Sequence, residues 1–141
     1  MPAKDLYHDT VKTALIKDGW EIIADPFKLR VGRRDLFVDL GANKLVIAQR
    51  SSQKVAVEVK SFISASPISD LEQALGQYLL YEELMRREHP DRILYLAIRD
   101  AVYTSFFQEE IVQIILETRQ LNLLIFDETQ EEIIQWLPLP I

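Results

Sequence analysis

The sequence predicts a mixed α/β fold, and two observations carry this prediction. Helix-periodic segments alternate along the chain with short apolar runs rich in β-branched residues. In addition, 141 residues suffice to bury roughly two-thirds of the unfolded surface in one core. Because neither a repeat nor a linker interrupts this order, we expect residues 1–141 to form a single domain with a central mixed β-sheet flanked by helices.

The first element is a predicted amphipathic helix from Asp5 to Asp18, which ends before Gly19. Short strand-like segments follow, separated by turn-forming residues at Asp25-Pro26, Gly32 and Gly41-Ala42-Asn43. The predicted strands cover residues 20–24, 27–31, 36–40, 45–48 and, after a turn at Ser51-Ser52, residues 55–60.

A long second helix is predicted from a capping box at Ser69-Asp70-Leu71-Glu72 to about Arg86-Arg87. Residues 93–98 then predict a buried strand, residues 106–118 an amphipathic helix, and residues 121–126 with 132–136 a closing hairpin. We expect Tyr103, Phe106 and Phe107 in the core. Trp136 and the apolar tail 137–141 either cover a sheet edge or form a contact surface.

Composition excludes several kinds of site. The chain has no cysteine and only two histidines, which rules out disulfides, thiolate metal sites and histidine-rich metal sites. We find neither a long uncharged apolar run nor a secretory signal, so we expect a cytoplasmic protein that does not enter a membrane. The net charge of −6 is unevenly distributed: residues 1–60 carry +3 and residues 61–141 carry −9, so a basic rim could still meet phosphates.

The candidate site lies in the run Val55-Ala56-Val57-Glu58-Val59-Lys60. In a strand, Glu58 and Lys60 share one face with Ala56, while the valines point the other way. With Asp39, nineteen residues earlier, this arrangement suits a divalent cation and a phosphodiesterase reaction. The alternatives are that Glu58 and Lys60 lie on the solvated face of an antiparallel strand, and that Asp39 is a turn residue before Gly41.

The order of elements and the residues Asp39, Glu58 and Lys60 resemble the restriction-endonuclease-like PD-(D/E)XK fold, with Val38 in place of the motif's proline. The resemblance implies that Asp39, Glu58 and the backbone carbonyl of Val59 hold Mg²⁺ or Mn²⁺, and that Lys60 orients the attacking water. On the second helix, Gln77 and Tyr81 match a Gln-x3-Tyr pair found near the metal or DNA in related nucleases. Gln77 would then hold water or a phosphate; the alternative is an ordinary helix flank.

Many such nucleases carry an acid on the first helix near the metal. Here His8 stands at that place, with Asp5 and Asp9 close by, which departs from the pattern and puts a second metal site in doubt. His8 is therefore either an accessory residue of the site or a surface or helix-flanking histidine.

A narrower resemblance covers almost the whole chain, namely to the XisH family, the cyanobacterial fdxN element excision controlling factors. The residues that carry it are Lys4-Asp5-Leu6-Tyr7-His8, Ile16-Lys17-Asp18-Gly19-Trp20, residues 38–42, residues 55–62 and Ala74-Leu75-Gly76-Gln77-Tyr78. It implies an auxiliary role in excising a DNA element, with DNA and an XisI-family protein as partners and a separate site-specific recombinase acting indirectly. It leaves the oligomeric state open, a homo-oligomer included.

Two functions therefore remain as expectations. One is a Mg²⁺-dependent DNA endonuclease, which the intact Asp39, Glu58 and Lys60 favour. The other is a non-catalytic nuclease-fold module that binds DNA or protein and regulates recombination, which the acidic balance and the missing helix acid favour. P-loop, dinucleotide-binding and Gly-x-Ser-x-Gly enzymes are excluded, because the four glycines form none of these motifs.

Overall fold

The central feature of the computed structural model, which describes residues 4–46 and 51–140, is a six-stranded mixed sheet. In chain order the elements are α1 (His8–Lys17), β1 (Glu21–Ala24), β2 (Phe27–Val31), β3 (Arg34–Val38), β4 (Leu40–Val46), β5 (Ser51–Val59), α2 (Pro67–Glu88), β6 (Ile93–Arg99), α3 (Asp100–Thr104), a 3₁₀ turn (Phe106–Gln108), α4 (Glu110–Thr118), β7 (Leu123–Asp127) and β8 (Glu132–Leu137).

The sheet has the strand order β1-β4-β5-β6-β7-β8. Its three middle strands, β5, β6 and β7, run parallel, while β4 and β8 pair antiparallel with β5 and β7. The predicted central mixed sheet is therefore confirmed. Strands β2 and β3 form a separate two-stranded sheet.

Two apolar layers cover the faces of the sheet. On one face, Ala56 packs in a cluster with residues of α2 such as Leu71 and Tyr78. On the other, Val55 and Val57 pack with residues of α1 such as Val11. Because successive side chains of a strand alternate faces, β5 is buried on both sides. The prediction of helices flanking the sheet is confirmed.

Helix α1 is shorter than predicted, because it begins at His8 and not at Asp5. The Asp5 carboxylate instead accepts a hydrogen bond from the backbone N–H of Tyr7 at 2.9 Å, and its carbonyl accepts one from the N–H of His8 at 3.0 Å. Asp5 is therefore used in the turn before the helix, as short acidic side chains often are.

The predicted turn at Gly41-Ala42-Asn43 is wrong, because these residues lie inside β4 and pair with β5. Gly41 is needed for close packing: a Cβ on it would lie 2.5 Å from Cδ2 of Phe27. The predicted strand 36–40 is divided between β3 and β4, with Asp39 at the junction. In the predicted strand 45–48, Leu45 and Val46 belong to β4, and the other two lie outside the described residues.

Helix α2 begins one turn earlier than the predicted capping box. Ser66 is the N-cap, and its hydroxyl accepts a hydrogen bond from the N–H of Ser69 at 3.2 Å. Pro67 at the first helical position fits this start, since its missing N–H would have no partner there. The predicted box at Ser69 to Glu72 therefore lies within the helix.

The C-terminal third confirms the predicted strand and hairpin but corrects the helix between them. The segment predicted as one helix is a 3₁₀ turn followed by α4, and the short α3 before it had no prediction. Phe106 and Phe107 are buried in the core as expected, with Tyr103 packed against it.

Trp136, Pro138 and Pro140 contact residues of the chain's own sheet, whereas Leu139 is exposed and Ile141 lies outside the described residues. The Trp136 ring lies 5.3 Å from that of Trp20 and 4.8 Å from that of Tyr95. The Tyr95 hydroxyl donates to the carbonyl of Pro138 at 2.6 Å, and the Gln53 amide donates to that of Pro140. Within the described residues, no helix is long and apolar enough to cross a membrane.

Candidate functional site

Glu58 sits near the end of the central strand β5, with its side chain on the face covered by α2. It is only 6% exposed, although it is a carboxylic acid. This burial excludes the solvated-strand alternative for Glu58. A buried carboxyl group needs partners, since an isolated charge loses its hydration there.

Asp39 reaches Glu58 from the junction between β3 and β4. Its Oδ2 accepts a hydrogen bond from the N–H of Val59 at 2.8 Å, and its own N–H donates to Oε1 of Glu58 at 3.2 Å. The two acids thus hold each other's strands through reciprocal contacts. Asp39 is not the turn residue of the alternative interpretation, because Gly41 continues directly into β4.

Lys60 completes the predicted group immediately after β5 ends. Its backbone N–H donates to the carbonyl of Ala97 at 3.1 Å, which continues the pairing with β6. Its Nζ lies 3.9 Å from Oε2 of Glu58. The structure therefore brings Asp39, Glu58 and Lys60 together.

The pKa values of the two acids are raised. Burial, followed by the charge of Asp39, raises the pKa of Glu58 to about 8, against the opposing effect of Lys60. Burial also raises the pKa of Asp39, although the hydrogen bond from Val59 and the charges of His8 and Lys60 act in the other direction. Burial, together with the charge of Asp39 beside Glu58, thus opposes ionisation of both acids at once.

His8, the first residue of α1, lies next to Asp39 and is 3% exposed. Its Nε2–H donates to Oδ1 of Asp25 at 2.7 Å, and Lys12 donates to the other oxygen at 2.8 Å. Burial alone would raise the pKa of Asp25, but the hydrogen bonds from Lys12 and His8 outweigh it and lower the pKa. Because His8 is buried, it is not a surface histidine.

The second ring nitrogen of His8 faces Asp39. Nδ1 lies 4.0 Å from Oδ1 of Asp39 and has no hydrogen-bond partner among the described residues. When Nε2 carries the proton of a neutral ring, Nδ1 presents a lone pair towards a carboxylate. A cation or a proton between the two would satisfy both groups.

Asp25 and Lys12 were not predicted as part of the site. The sequence indicated Asp25 only as part of an Asp-Pro turn and gave no role to Lys12. No local signal distinguishes these roles, because Asp25 and His8 are seventeen residues apart and meet only through the fold. Asp9, which was also predicted near the site, is exposed and lies 3.7 Å from Lys4.

Asp5 and Arg99 hold the residue that follows Lys60. Asp5 Oδ2 accepts a hydrogen bond from the N–H of Ser61 at 3.0 Å. The Arg99 guanidinium donates to the Ser61 carbonyl at 2.9 and 3.2 Å. These contacts fix the backbone as it leaves β5. A cleft of about 340 Å³ opens beside them, lined by Lys60, Ser61 and Gln73 among others.

Tyr81 and Gln77, the pair predicted on the second helix, lie on α2 and differ in their surroundings. Tyr81 is 8% exposed, and burial followed by the charges of Glu58 and Asp39 raises its pKa to about 12. The charges of both acids therefore act on the Tyr81 hydroxyl. Gln77 is half-buried, and its Oε1 accepts no hydrogen bond within the part of the chain that the structure describes. Its predicted role stays a prediction.

The arrangement offers two carboxylates, an ammonium group and a buried imidazole at one end of β5. Among residues 4–46 and 51–140, no three His, Cys, Asp or Glu side chains come together with the geometry of a metal site. A cation here would therefore have at most two carboxylate ligands, as is common for Mg²⁺, which keeps several waters.

Comparisons with known proteins agree with one another. The family model described as XisH protein matches residues 1–134. An XisH family protein from Nostoc punctiforme PCC 73102 has a crystal structure with a TM-score of 0.84 and 41% sequence identity, and the match covers 94% of this chain and 98% of that one.

The crystal structure of a fdxN element excision controlling factor protein from Anabaena variabilis is similar to the same extent, with a TM-score of 0.83 and 42% identity over 94% of this chain and 98% of that one. Curated protein sequences give no significant match. The family model covers most of the chain, and both structures agree in fold and sequence, so this chain belongs to the XisH family.

Proposed function

We propose that this protein is a PD-(D/E)XK-type, Mg²⁺- or Mn²⁺-dependent DNA endonuclease that acts as an accessory factor in excising a DNA element. One observation carries the proposal: the buried Glu58 lies beside the half-buried Asp39, and Lys60 Nζ is 3.9 Å from Glu58. Glu58 is in the strand core, where an apolar side chain would be more stable if no ligand were bound. The excision role is taken from the name of the Anabaena variabilis relative.

The donor set fits a hard divalent cation. Burial raises the pKa of both acids, and the charge of Asp39 adds to this effect on Glu58, so a bound cation would favour the ionised forms of both. Among the described residues Nδ1 of His8 has no hydrogen-bond partner; it lies 4.0 Å from Asp39, and a cation between them would contact both groups. Asp39, Glu58 and the carbonyl of Val59 would hold the ion, which when bound lowers the pKa of a coordinated water and polarises a phosphate.

The chain's own groups supply the remaining chemistry. The Lys60 ammonium stabilises negative charge on the phosphoryl oxygens and orients the attacking water. Asp5 and Arg99 keep Lys60 in place through Ser61. Tyr81 shields the acids from bulk solvent on the α2 side, which strengthens electrostatic interactions within the site. The Gln77 amide would bind water or a phosphate oxygen.

A second function has its own support. The oxygens of Asp39 and Glu58 already accept backbone hydrogen bonds, and the described residues contain no cluster of three metal-binding side chains. These features favour a nuclease-fold module that regulates recombination by binding DNA or a protein, with an XisI-family protein as the proposed partner. Cleavage assays separate the two functions.

The test is cleavage of supercoiled, linear and branched DNA in Mg²⁺ and in Mn²⁺, with and without an XisI-family protein. We expect metal-dependent cutting by the wild type, and a loss of at least about a hundredfold in Glu58→Ala and Lys60→Ala. Glu88→Ala, which removes an exposed acid at the end of α2, is the matched control. Cutting that survives in Glu58→Ala would contradict the site, and folded protein that never cuts would favour the binding module.

A further inference from the structure

A basic hairpin, formed by β2 and β3, connects Asp25 to Asp39 at the candidate site. Strands β2 and β3 pair from Phe27 with Val38 to Val31 with Arg34, and Gly32 and Arg33 form the turn. Asp25 lies just before this hairpin, and Asp39 follows its last residue directly. Both ends of the hairpin are therefore anchored at the site.

The hairpin carries a concentration of positive charge. It contains Lys28, Arg30, Arg33 and Arg34 against one acid, Asp35, a net charge of +3 in a chain whose net charge is −6. All five charged side chains belong to exposed residues. Such a local field attracts a polyanion even when the whole protein is acidic.

Most of these charges are free of acidic partners. Arg30 lies 3.4 Å from Asp35, whereas the other three bases take part in no ion pair formed within the described residues. Elsewhere, basic side chains such as Lys54 and Arg119 are paired with acids. The hairpin thus presents charge that internal pairing does not use.

The hairpin is held firmly despite having only two strands. Its inner face buries Phe27, Leu29 and Val38 against the α2 side of the core. Lys28 and Arg30 alternate with these residues and therefore lie on the outer face. Arg33 is in the turn, and Arg34, which pairs with Val31, is exposed on the opposite face at the tip of the hairpin. An isolated hairpin would be marginally stable, but this buried face makes it a rigid arm.

We propose that the β2–β3 hairpin holds the sugar-phosphate backbone of duplex DNA beside the Asp39 and Glu58 site, through Lys28, Arg30, Arg33 and Arg34. The positive charge of the hairpin and the length of its strands favour duplex DNA as the partner. A five-residue strand spans about 17 Å, and over that length of helix axis each strand of a DNA duplex carries about five phosphates. This inference rests on the proposed function for the identity of the partner and concerns binding alone.

The test compares two triple variants that lose the same charge. The hairpin variant is Lys28→Gln with Arg33→Gln and Arg34→Gln, which leaves the Arg30 and Asp35 pair intact. The control is Lys17→Gln with Lys44→Gln and Lys54→Gln; Lys17 ends α1, and the other two lie on β4 and β5 away from Asp39. Circular dichroism establishes that each variant is folded.

Binding is measured by fluorescence anisotropy of a short labelled duplex, with EDTA present so that no cleavage occurs. Salt is varied from about 50 to about 200 mM, and the logarithm of the binding constant is plotted against that of the salt concentration. Three lost phosphate contacts should reduce the slope by roughly 2–3 and weaken binding at least about tenfold at the lower salt concentration. The control should keep the wild-type slope.

Equal losses in both variants, or a hairpin variant that binds like wild type, would overturn the inference and leave the proposed function standing. Wild type that binds no duplex in the absence of metal would also overturn it, while the cleavage assay with Glu58→Ala still decides the proposed function. If size-exclusion chromatography instead shows self-association that the hairpin variant loses, the arm binds the acidic half of a second copy and the inference is wrong.

Discussion

Asp39 accepts a hydrogen bond from the backbone N–H of Val59 at 2.8 Å, and this contact joins the end of the β2–β3 hairpin to the central strand. The return contact, from the N–H of Asp39 to Glu58, is 3.2 Å long. Backbone groups thus set the separation of the two acids. The backbone of the sheet therefore preorganises the positions of Asp39 and Glu58.

The first prediction concerns pH. Because the pKa of Glu58 is about 8 in the folded protein, the folded state keeps a proton that the unfolded state has lost above about 4.5. Stability should therefore fall as the pH rises from about 4.5 to about 8, and Asp39 acts in the same direction. Urea unfolding across this range should show a shallower fall for Glu58→Gln, with a gain of about 2 kcal/mol at the alkaline end.

Glu88→Gln, at an exposed position on α2, provides the control and should follow the wild-type pH curve. If Glu58→Gln lost stability with pH as steeply as the wild type, other groups would be responsible for the dependence.

The second prediction concerns Gly41. Gly41→Ala would place a methyl group 2.5 Å from Cδ2 of the buried Phe27 ring, so the ring or the strand would have to shift. We expect a loss of about 1–3 kcal/mol in the free energy of unfolding, measured with urea. Gly76→Ala is the matched control: a Cβ there meets open space on a helix, so it should stabilise by up to about 1 kcal/mol. Equal effects of the two substitutions would show that crowding by Phe27 is unimportant.

Local periodicity is enough to predict the types and order of most elements and the shared face of Glu58 and Lys60. These properties depend on neighbours within a few residues, which the sequence displays directly. The start of α2 was predicted one turn late because Ser66 and Ser69 both resemble N-caps. Pro67, which favours the first helical position, distinguishes them.

Long-range contacts were beyond the reach of sequence patterns. In the sequence, a glycine needed for a turn cannot be distinguished from a glycine that leaves room for a neighbouring side chain. Gly41 is of the second kind, which only the packing of β2 on β4 shows. In the same way, Asp25 joins His8 because the hairpin leaves the main sheet at that point. The inner part of the candidate site therefore emerged only from the structure.

The third prediction concerns the support of Lys60. Arg99→Ala would remove two hydrogen bonds to the Ser61 carbonyl, the 3.3 Å contact with Glu128 and the packing on the Tyr7 ring. Because the Ser61 carbonyl would lose its charged donor, we expect the free energy of unfolding, measured with urea, to fall by about 2–3 kcal/mol. Arg99→Lys should restore little, since an ammonium group cannot reproduce the forked geometry.

Arg87→Ala removes an exposed arginine near the end of α2 and should change stability by less than about 0.5 kcal/mol. A similar small effect of Arg99→Ala would mean that the Ser61 contacts contribute nothing measurable to the fold.

The fourth prediction concerns metal binding without DNA. At ten times its Kd, Mg²⁺ or Mn²⁺ should stabilise the folded protein by about 1.4 kcal/mol, which raises Tm by roughly 3–5 °C in thermal unfolding. The rise should be larger at pH 8.5 than at pH 6, because the cation displaces the proton that Glu58 holds up to a pKa of about 8. Glu58→Ala should abolish it, whereas Lys60→Ala should keep it, since the ammonium is not a ligand. A Tm rise that persists in Glu58→Ala would place the cation elsewhere on the protein, and no rise in wild type at either pH would mean that these acids bind no metal without DNA.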